Sequence, residues 1–208
     1  MATRVAIPKI TPRVMPEESN KTLPPGPLET VGQGVFTASG FGALWLAWVP
    51  EGVVMLELDG TSPPLDTQRR WLSEVEIIEE RPIPALVSEL LARYFAGEDV
   101  DPASLPVRLG GTKFQKRAWT ALRRVPRGSV RTYAGLATDA GSPRAMRAIG
   151  MAMGANPIPL IVPCHRCVGA GFTLGGFSSG LDTKRFLLEL EGVQVEGDEV
   201  HPGQLELL

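Results

Sequence analysis

The spacing of hydrophobic positions changes along the chain, and each change predicts a different kind of element. Residues 1–30 hold prolines at 8, 12, 16, 24, 25 and 27 with little periodic apolar pattern, which reads as an irregular lead-in. Two apolar runs follow, Ala43–Val49 and Val53–Leu58, separated by Pro50-Glu51-Gly52, and this predicts a β-hairpin. Across residues 82–97, Leu86, Leu90 and Tyr94 recur at fourfold spacing ahead of Gly97, so a helix is expected there.

Beyond residue 108 the pattern becomes helical. Residues 112–124 place Phe114, Ala118, Trp119 and Leu122 on one face of an amphipathic helix, ended by Pro126 and Gly128. A short helix starts near Tyr133 and stops at Gly141. A third opens with Ser142 as N-cap and Pro143 in its first turn, then runs to Gly154. Two short helices around a tight glycine turn suggest a helix-turn-helix. The expected fold is therefore α+β. A small N-terminal α/β scaffold domain with a hairpin-containing sheet (31–107) precedes a mainly helical domain with a winged-helix-like helix-turn-helix (108–195). A polar tail over 196–208 is expected to follow.

Composition adds that a core can form, since 43% of the residues are hydrophobic. No run of about 18 consecutive apolar residues predicts a membrane span, and the prolines in MATRVAIPKITPRVMPEESN interrupt any signal-peptide core. An intracellular location is expected, cytoplasmic in a bacterium or nuclear in a eukaryote. Two cysteines three positions apart cannot make a disulfide framework. If they matter, they matter as thiols.

The net charge of −2 argues against a nucleic-acid partner, but its distribution reverses that view. Residues 1–107 carry 8 basic against 15 acidic side chains, whereas residues 108–166 carry 11 basic against a single acid, Asp139. A block of that size, dominated by arginine, is the footprint of a polyanion-binding domain. A solvated helix face is the plainer explanation. On the third helix, small residues including Ala148 and Gly150 leave Arg144 and Arg147 projecting. Such a helix suits either close packing or a narrow DNA groove.

The chemistry concentrates at Asn156-Pro-Ile-Pro159-Leu-Ile-Val-Pro163-Cys164-His165-Arg166-Cys167, an apolar strand-like run ending in a Cys-His pair. An ordinary thiol, with a pKa of about 8.5, is only a few per cent ionised at neutral pH, so a nucleophile needs a base or nearby positive charge. His165 and Arg166 are adjacent, and the chain holds only two histidines. Neighbours in a strand face opposite ways, so His165 is expected to act through a water or a local turn. Glu191, near the end of a helix expected over Asp182–Glu191 and before Gly192, is the candidate orienting acid. Three other readings stand beside this one: an inert buried cysteine, a Cys-x-x-Cys redox pair, and a metal site for which too few ligands exist. The loop Phe172–Gly180, with Phe177 among glycines and serines, suits a pocket wall or any surface loop.

Taken in order, FQKRAWTALRRVPRG, TYAGLA, SPRAMRAIGMAMGANPIPLIVPCHR and GGFSSGLDTKRFLLELEG closely resemble the C-terminal domain of the O6-alkylguanine-DNA alkyltransferases. The resemblance is strong over roughly 80 residues, about Gly111 to Gly192, and loose before that. It implies that Cys164 accepts the alkyl group, that His165 acts through a water as base, and that Glu191 orients the histidine. It makes Asn156 a brace, Arg147 the filler of the gap left by a flipped nucleotide, and Tyr133 a hydrogen-bond partner of the base. Arg144, Ala148, Gly150 and Arg166 fall with the DNA-binding residues. Met153, Pro159, Phe177, Ser178, Ser179 and Gly180 line the pocket, where the Cys167 carbonyl reads the guanine amino group and the Ser178 N–H meets the guanine oxygen.

The implied partner is double-stranded DNA carrying O6-alkylguanine, with O4-alkylthymine as a further candidate, acted on by a monomer without cofactor or metal. Phe177 replaces a tyrosine of some members, and Ser179 a glycine of others, which bears on pocket breadth. The zinc site that some members build in the N-terminal domain has no Cys or His here within 1–107. A disulfide between Cys164 and Cys167 would block transfer. Alkyltransferase-like lesion binders lack the cysteine, often having tryptophan. A plain helix-turn-helix regulator would need neither the Pro-Cys-His-Arg run nor the pocket loop.

Overall fold

The computed structural model describes residues 31–71 and 78–201. The proline-rich lead-in 1–30 and the end of the expected tail lie outside the described residues. The first half is a sheet in the order β3-β2-β1-β4, formed by β1 (Val31–Ala38), β2 (Gly42–Val49), β3 (Gly52–Glu57) and, after α1 (Leu65–Trp71), β4 (Ile78–Glu80). β2 and β3 are the predicted hairpin. β1 pairs antiparallel with β2, and β4 parallel with β1. Helix α2 (Ala85–Phe95) packs on this sheet.

The register of α2 corrects one expectation. Val87, Leu91, Tyr94 and Phe95 are buried, while Leu86 is exposed. A strict fourfold series drifts around a 3.6-residue helix; the buried face follows i, i+4, i+7, i+8.

The second half is α3 (Lys113–Leu122), β5 (Arg131–Thr132), α4 (Tyr133–Asp139), α5 (Met146–Gly154), β6 (Cys167–Val168), α6 (Leu181–Leu190) and a hairpin of β7 (Gln194–Glu196) and β8 (Glu199–His201). The fold is α+β with a helical C-terminal half. Thr112 and Gln115 form a reciprocal capping box on α3. The Trp119 indole N–H donates to Ala152 O at 2.9 Å, tying α3 to α5.

Helix α5 starts later than predicted. Ser142–Ala145 form a separate turn, closed by Ala145 N–H to Ser142 O, and Ala145 is the cap. The Ser142 N–H instead bonds back to Ala137 O, holding it to the end of α4. Arg144 therefore sits on the turn before the helix rather than in it. The expected polar tail also begins as structure, because Val200 of β8 is buried against Val168, Leu174 and Leu188.

One core runs through both halves, from Leu44, Leu56, Leu91 and Tyr94 to Trp119, Ile149, Ile161, Cys164 and Leu187. The edge of β3 is the seam. Val53 N–H bonds Pro106 O, Arg108 N–H bonds Val53 O, and Leu56 N–H bonds Pro157 O at 2.9 Å. At Gly52, with φ of 146°, a Cβ would meet Pro106 backbone atoms at 2.4 Å, so only glycine admits this crossing.

Candidate active site

The apolar run before Cys164 is not a strand. Its prolines at 157, 159 and 163 cannot donate to a ladder, and the segment reverses tightly instead. Val162 N–H bonds Ile158 O at 2.8 Å across a buried Leu160 held at φ of 72°. A positive φ at a leucine is strained and persists only where surrounding packing enforces it. The reversal delivers Cys164, His165 and Arg166 on one 3-10 turn, capped by Cys167 N–H to Cys164 O. A local turn of the kind anticipated for His165 thus replaces the extended geometry. β6, directly after it, pairs with β5 (Arg131 with Cys167, Thr132 with Val168), and this places Tyr133 at the start of α4 beside the turn.

Cys164 is buried, and the Asn156 amide donates to its Sγ at 3.1 Å. The same amide bonds Val162 O at 2.8 Å while Asn156 Oδ1 accepts from Ile158 N–H, so one side chain staples the reversal to the sulfur. Burial pushes the Cys164 thiol above its ordinary value. The Asn156 bond, the Lys184 charge and the Cys164 and His165 backbone N–H groups offset that only in part. The resting sulfur is therefore a protonated thiol, and any transfer must move its proton to a base.

His165 is fully buried, and burial holds its pKa below the ordinary histidine value against the pull of Glu191. Its Nε2 lies 3.0 Å from Glu191 Oε1. Burial alone would raise Glu191, but His165 and Arg166 together hold it well below the usual carboxylate range. An ionised Glu191 only accepts hydrogen bonds, so His165 carries its proton on Nε2 and presents an unprotonated Nδ1. No group among the described residues bonds that Nδ1.

Arg166 overturns its expected role. It is 0% exposed, donates through Nε and Nη2 to Glu191, through Nη1 and Nη2 to Asp101, and through Nη1 to Val125 O. A guanidinium so enclosed contacts no DNA phosphate; it is internal to the site. The first half was expected to be scaffold without chemistry, yet it supplies Asp101 and also Tyr94, whose hydroxyl donates to Glu191 Oε1 at 2.8 Å. Lys184 of α6 is equally buried, with Nζ on the carbonyls of Cys167 (2.6 Å) and Leu174 (2.5 Å). Sequence reasoning missed all three. Tyr94 lies on an apolar helix face and reads as core, and nothing in DTKRF separates a buried lysine from a solvated one.

Tyr133 is half-buried, and burial with the two nearby cysteines lifts its phenol to about 12, so it stays a neutral donor. A methyl on Gly175 would sit 3.7 Å from its ring, which puts the Phe172–Gly180 loop alongside. Phe177 packs on the core; Ser178, Ser179 and Gly180 are exposed. Met153 and Pro159 are buried. Burial raises the Cys167 thiol to about 12 against the pull of Lys184. Arg144 and Arg147 are exposed, near half-buried Ala148 and Gly150, and Met146 and Met151 project beside them, Met151 at 70% exposure. Among the described residues, no group of three or more His, Cys, Asp or Glu is arranged to hold a metal, and no helix is long and apolar enough to cross a membrane.

Residues 113–193 match the family model described as the 6-O-methylguanine DNA methyltransferase DNA-binding domain. The methylated-DNA–protein-cysteine methyltransferase of Methanosarcina acetivorans is 41% identical over 156 residues, which cover 74% of this chain and 94% of that protein. The Haemophilus influenzae protein of the same name is 44% identical over 115 residues, covering 55% and 64%. Among solved structures, Mycobacterium tuberculosis O6-methylguanine methyltransferase superposes with a TM-score of 0.63 at 38% identity, over 77% of this chain and 92% of the other. The M. tuberculosis OGT in complex with DNA gives 0.62 at 35%, over 78% and 93%. With a buried Cys-His-Glu constellation and a relative 41% identical that is matched over 94% of its length, the chain belongs to the methylated-DNA–protein-cysteine methyltransferase family.

Proposed function

We propose that this protein repairs DNA by moving the alkyl group of O6-alkylguanine onto Cys164, once per molecule. The observation that carries the reading is the protonated, buried thiol of Cys164 on the same turn as a histidine whose tautomer leaves Nδ1 open. Relatives named for methylated DNA and a protein cysteine point the same way. Nδ1 takes the thiol proton through a water. Sγ attacks the alkyl carbon, a C–S bond forms, the C–O bond to guanine breaks, and that electron pair leaves on the base oxygen. The imidazolium that results is stabilised by Glu191, and Tyr133 hydrogen-bonds the base. A thioether has no easy leaving group, so the protein is consumed.

The reactive carbon lies on a base edge inside the duplex, so the nucleotide must leave the stack at an expense of a few kcal/mol. Arg147, exposed on α5 and without a protein partner among the described residues, fills the gap, and Arg144 contacts phosphate. Phe177 stacks on the flipped base while Ser178 N–H meets its oxygen. The Cys167 carbonyl already accepts from Lys184, and its second lone pair serves the guanine amino group. The protein acts as a monomer without a cofactor.

Intact-protein mass spectrometry after incubation with an O6-methylguanine oligonucleotide tests this. One methyl group should appear per protein, on Cys164, with no turnover beyond one equivalent. Unmodified protein beside intact lesion overturns the reading in favour of a lesion binder. Cys164→Ala should abolish transfer and keep lesion binding.

A further inference from the structure

The Glu191 carboxylate is crowded at one oxygen. Oε1 faces three donors: Tyr94 Oη–H at 2.8 Å, Arg166 Nη2–H at 2.8 Å and His165 Nε2–H at 3.0 Å, while among the described residues Oε2 accepts from Arg166 Nε alone, at 2.9 Å. A carboxylate oxygen has about two lone-pair sites, so donors on one oxygen share its charge. The hydroxyl of Tyr94 donates, because the carboxylate is ionised and burial keeps the phenol far from losing its proton. Its ring is fixed by Phe95 edge-on at 5.2 Å and by the Arg127 guanidinium 6.0 Å above it. Phenylalanine would fill the same apolar space, so the hydroxyl is what Tyr94 adds.

We propose that Tyr94 is a positioning residue for alkyl transfer: its hydroxyl, sharing one carboxylate oxygen with His165, restrains how strongly Glu191 draws a proton onto the histidine. This rests on the alkyl-transfer role of Cys164. The groups facing the His165–Glu191 pair are Tyr94 from α2, Asp101 at the cap of a 3-10 turn over Pro102–Ser104, Arg127, Arg166, Lys184 from α6 and Cys164. Removing the Tyr94 hydroxyl concentrates the carboxylate charge on His165 and makes the histidine more basic. Neutralising Asp101 acts oppositely, because Arg166 is then less compensated and its charge disfavours a second cation beside it.

The chain's two histidines make this measurable by 15N-histidine NMR, with His201→Gln identifying the exposed one. In full-length Tyr94→Phe, the His165 titration should move up by about half to one unit. The acidic limb of the single-turnover rate profile should move with it. In Asp101→Asn both should move down. Superimposable His165 titrations for wild type and Tyr94→Phe overturn the proposal, as does a uniform loss of rate at every pH without movement of the limb. Should Tyr94→Phe fail to fold, an upward or absent shift in Asp101→Asn overturns it instead. The NMR titration needs no alkyl transfer, so an inactive wild-type protein would sink the role of Cys164 while leaving the hydrogen-bond argument to be judged separately.

Discussion

Arg166 and Arg147 belong to the same basic block, yet they have opposite fates. Arg166 is fully enclosed and satisfied by Glu191, Asp101 and Val125 O. Arg147 stands exposed on α5. Several of the other arginines fall on the Arg166 side: Arg123 donates to Ala103 O and Leu105 O, Arg127 to Leu190 O, and Arg131 pairs with Asp139. A positive block is therefore two populations, one that closes the protein's own polar groups and one left to meet an external anion. Net charge counts them alike.

Substitution separates the two. Arg166→Ala should have the largest effect, leaving the buried Glu191 carboxylate without its counter-charge and Asp101 without its guanidinium partner, and destabilising the fold by about 3–5 kcal/mol in urea unfolding; a neutral outcome would mean that the buried network contributes nothing. Arg123→Ala should follow at about 1–3 kcal/mol, since two partly buried carbonyls lose their donor. Next comes the acid response. The folded pKa values of both His165 and Glu191 lie below their unfolded ones, so their contribution is present above the unfolded values and is lost as pH falls. The His165 part should set in below about 6.5 and remove up to about 1.4 kcal/mol per pH unit. His165→Gln should flatten that slope between pH 6.5 and its onset of acid unfolding, and an unchanged slope would assign it elsewhere.

On the exposed side, Arg147→Ala should leave unfolding unchanged and slow methyl transfer from duplex DNA about tenfold, in keeping with a nucleotide that must leave the stack. Transfer from a free guanine analogue should hardly change; equal losses would deny it the gap-filling role. Arg144→Ala should do least, weakening DNA binding severalfold and lowering the salt dependence by about one counterion.

The same division explains how much was legible beforehand. The hairpin and α2–α5 follow from local periodicity and turn residues, and the Cys164, His165 and Glu191 grouping from rare residue types beside a family-like motif. The Asn156 staple belongs with them. What escaped depended on contacts between distant segments. Whether Arg166 reaches solvent is decided by Asp101 and Val125, far from it in sequence, and the hydroxyl of Tyr94 has no meaning until Glu191 arrives. The tight reversal at Leu160 escaped because a positive φ at leucine is enforced by packing, not by propensity.

The pairings that complete the carboxylate network also shape how the site comes into being. Tyr94 and Glu191 are 97 residues apart, and Arg166 and Asp101 are 65 apart. Contacts of such separation form late, after the loops between them have closed. During synthesis the first half must therefore emerge with its hydroxyl and carboxylate waiting for partners not yet made. The ordered site is then the last thing the chain acquires, and a partly folded molecule holds Cys164 and His165 side by side in sequence but not yet the carboxylate network that fixes the tautomer and orientation of the histidine.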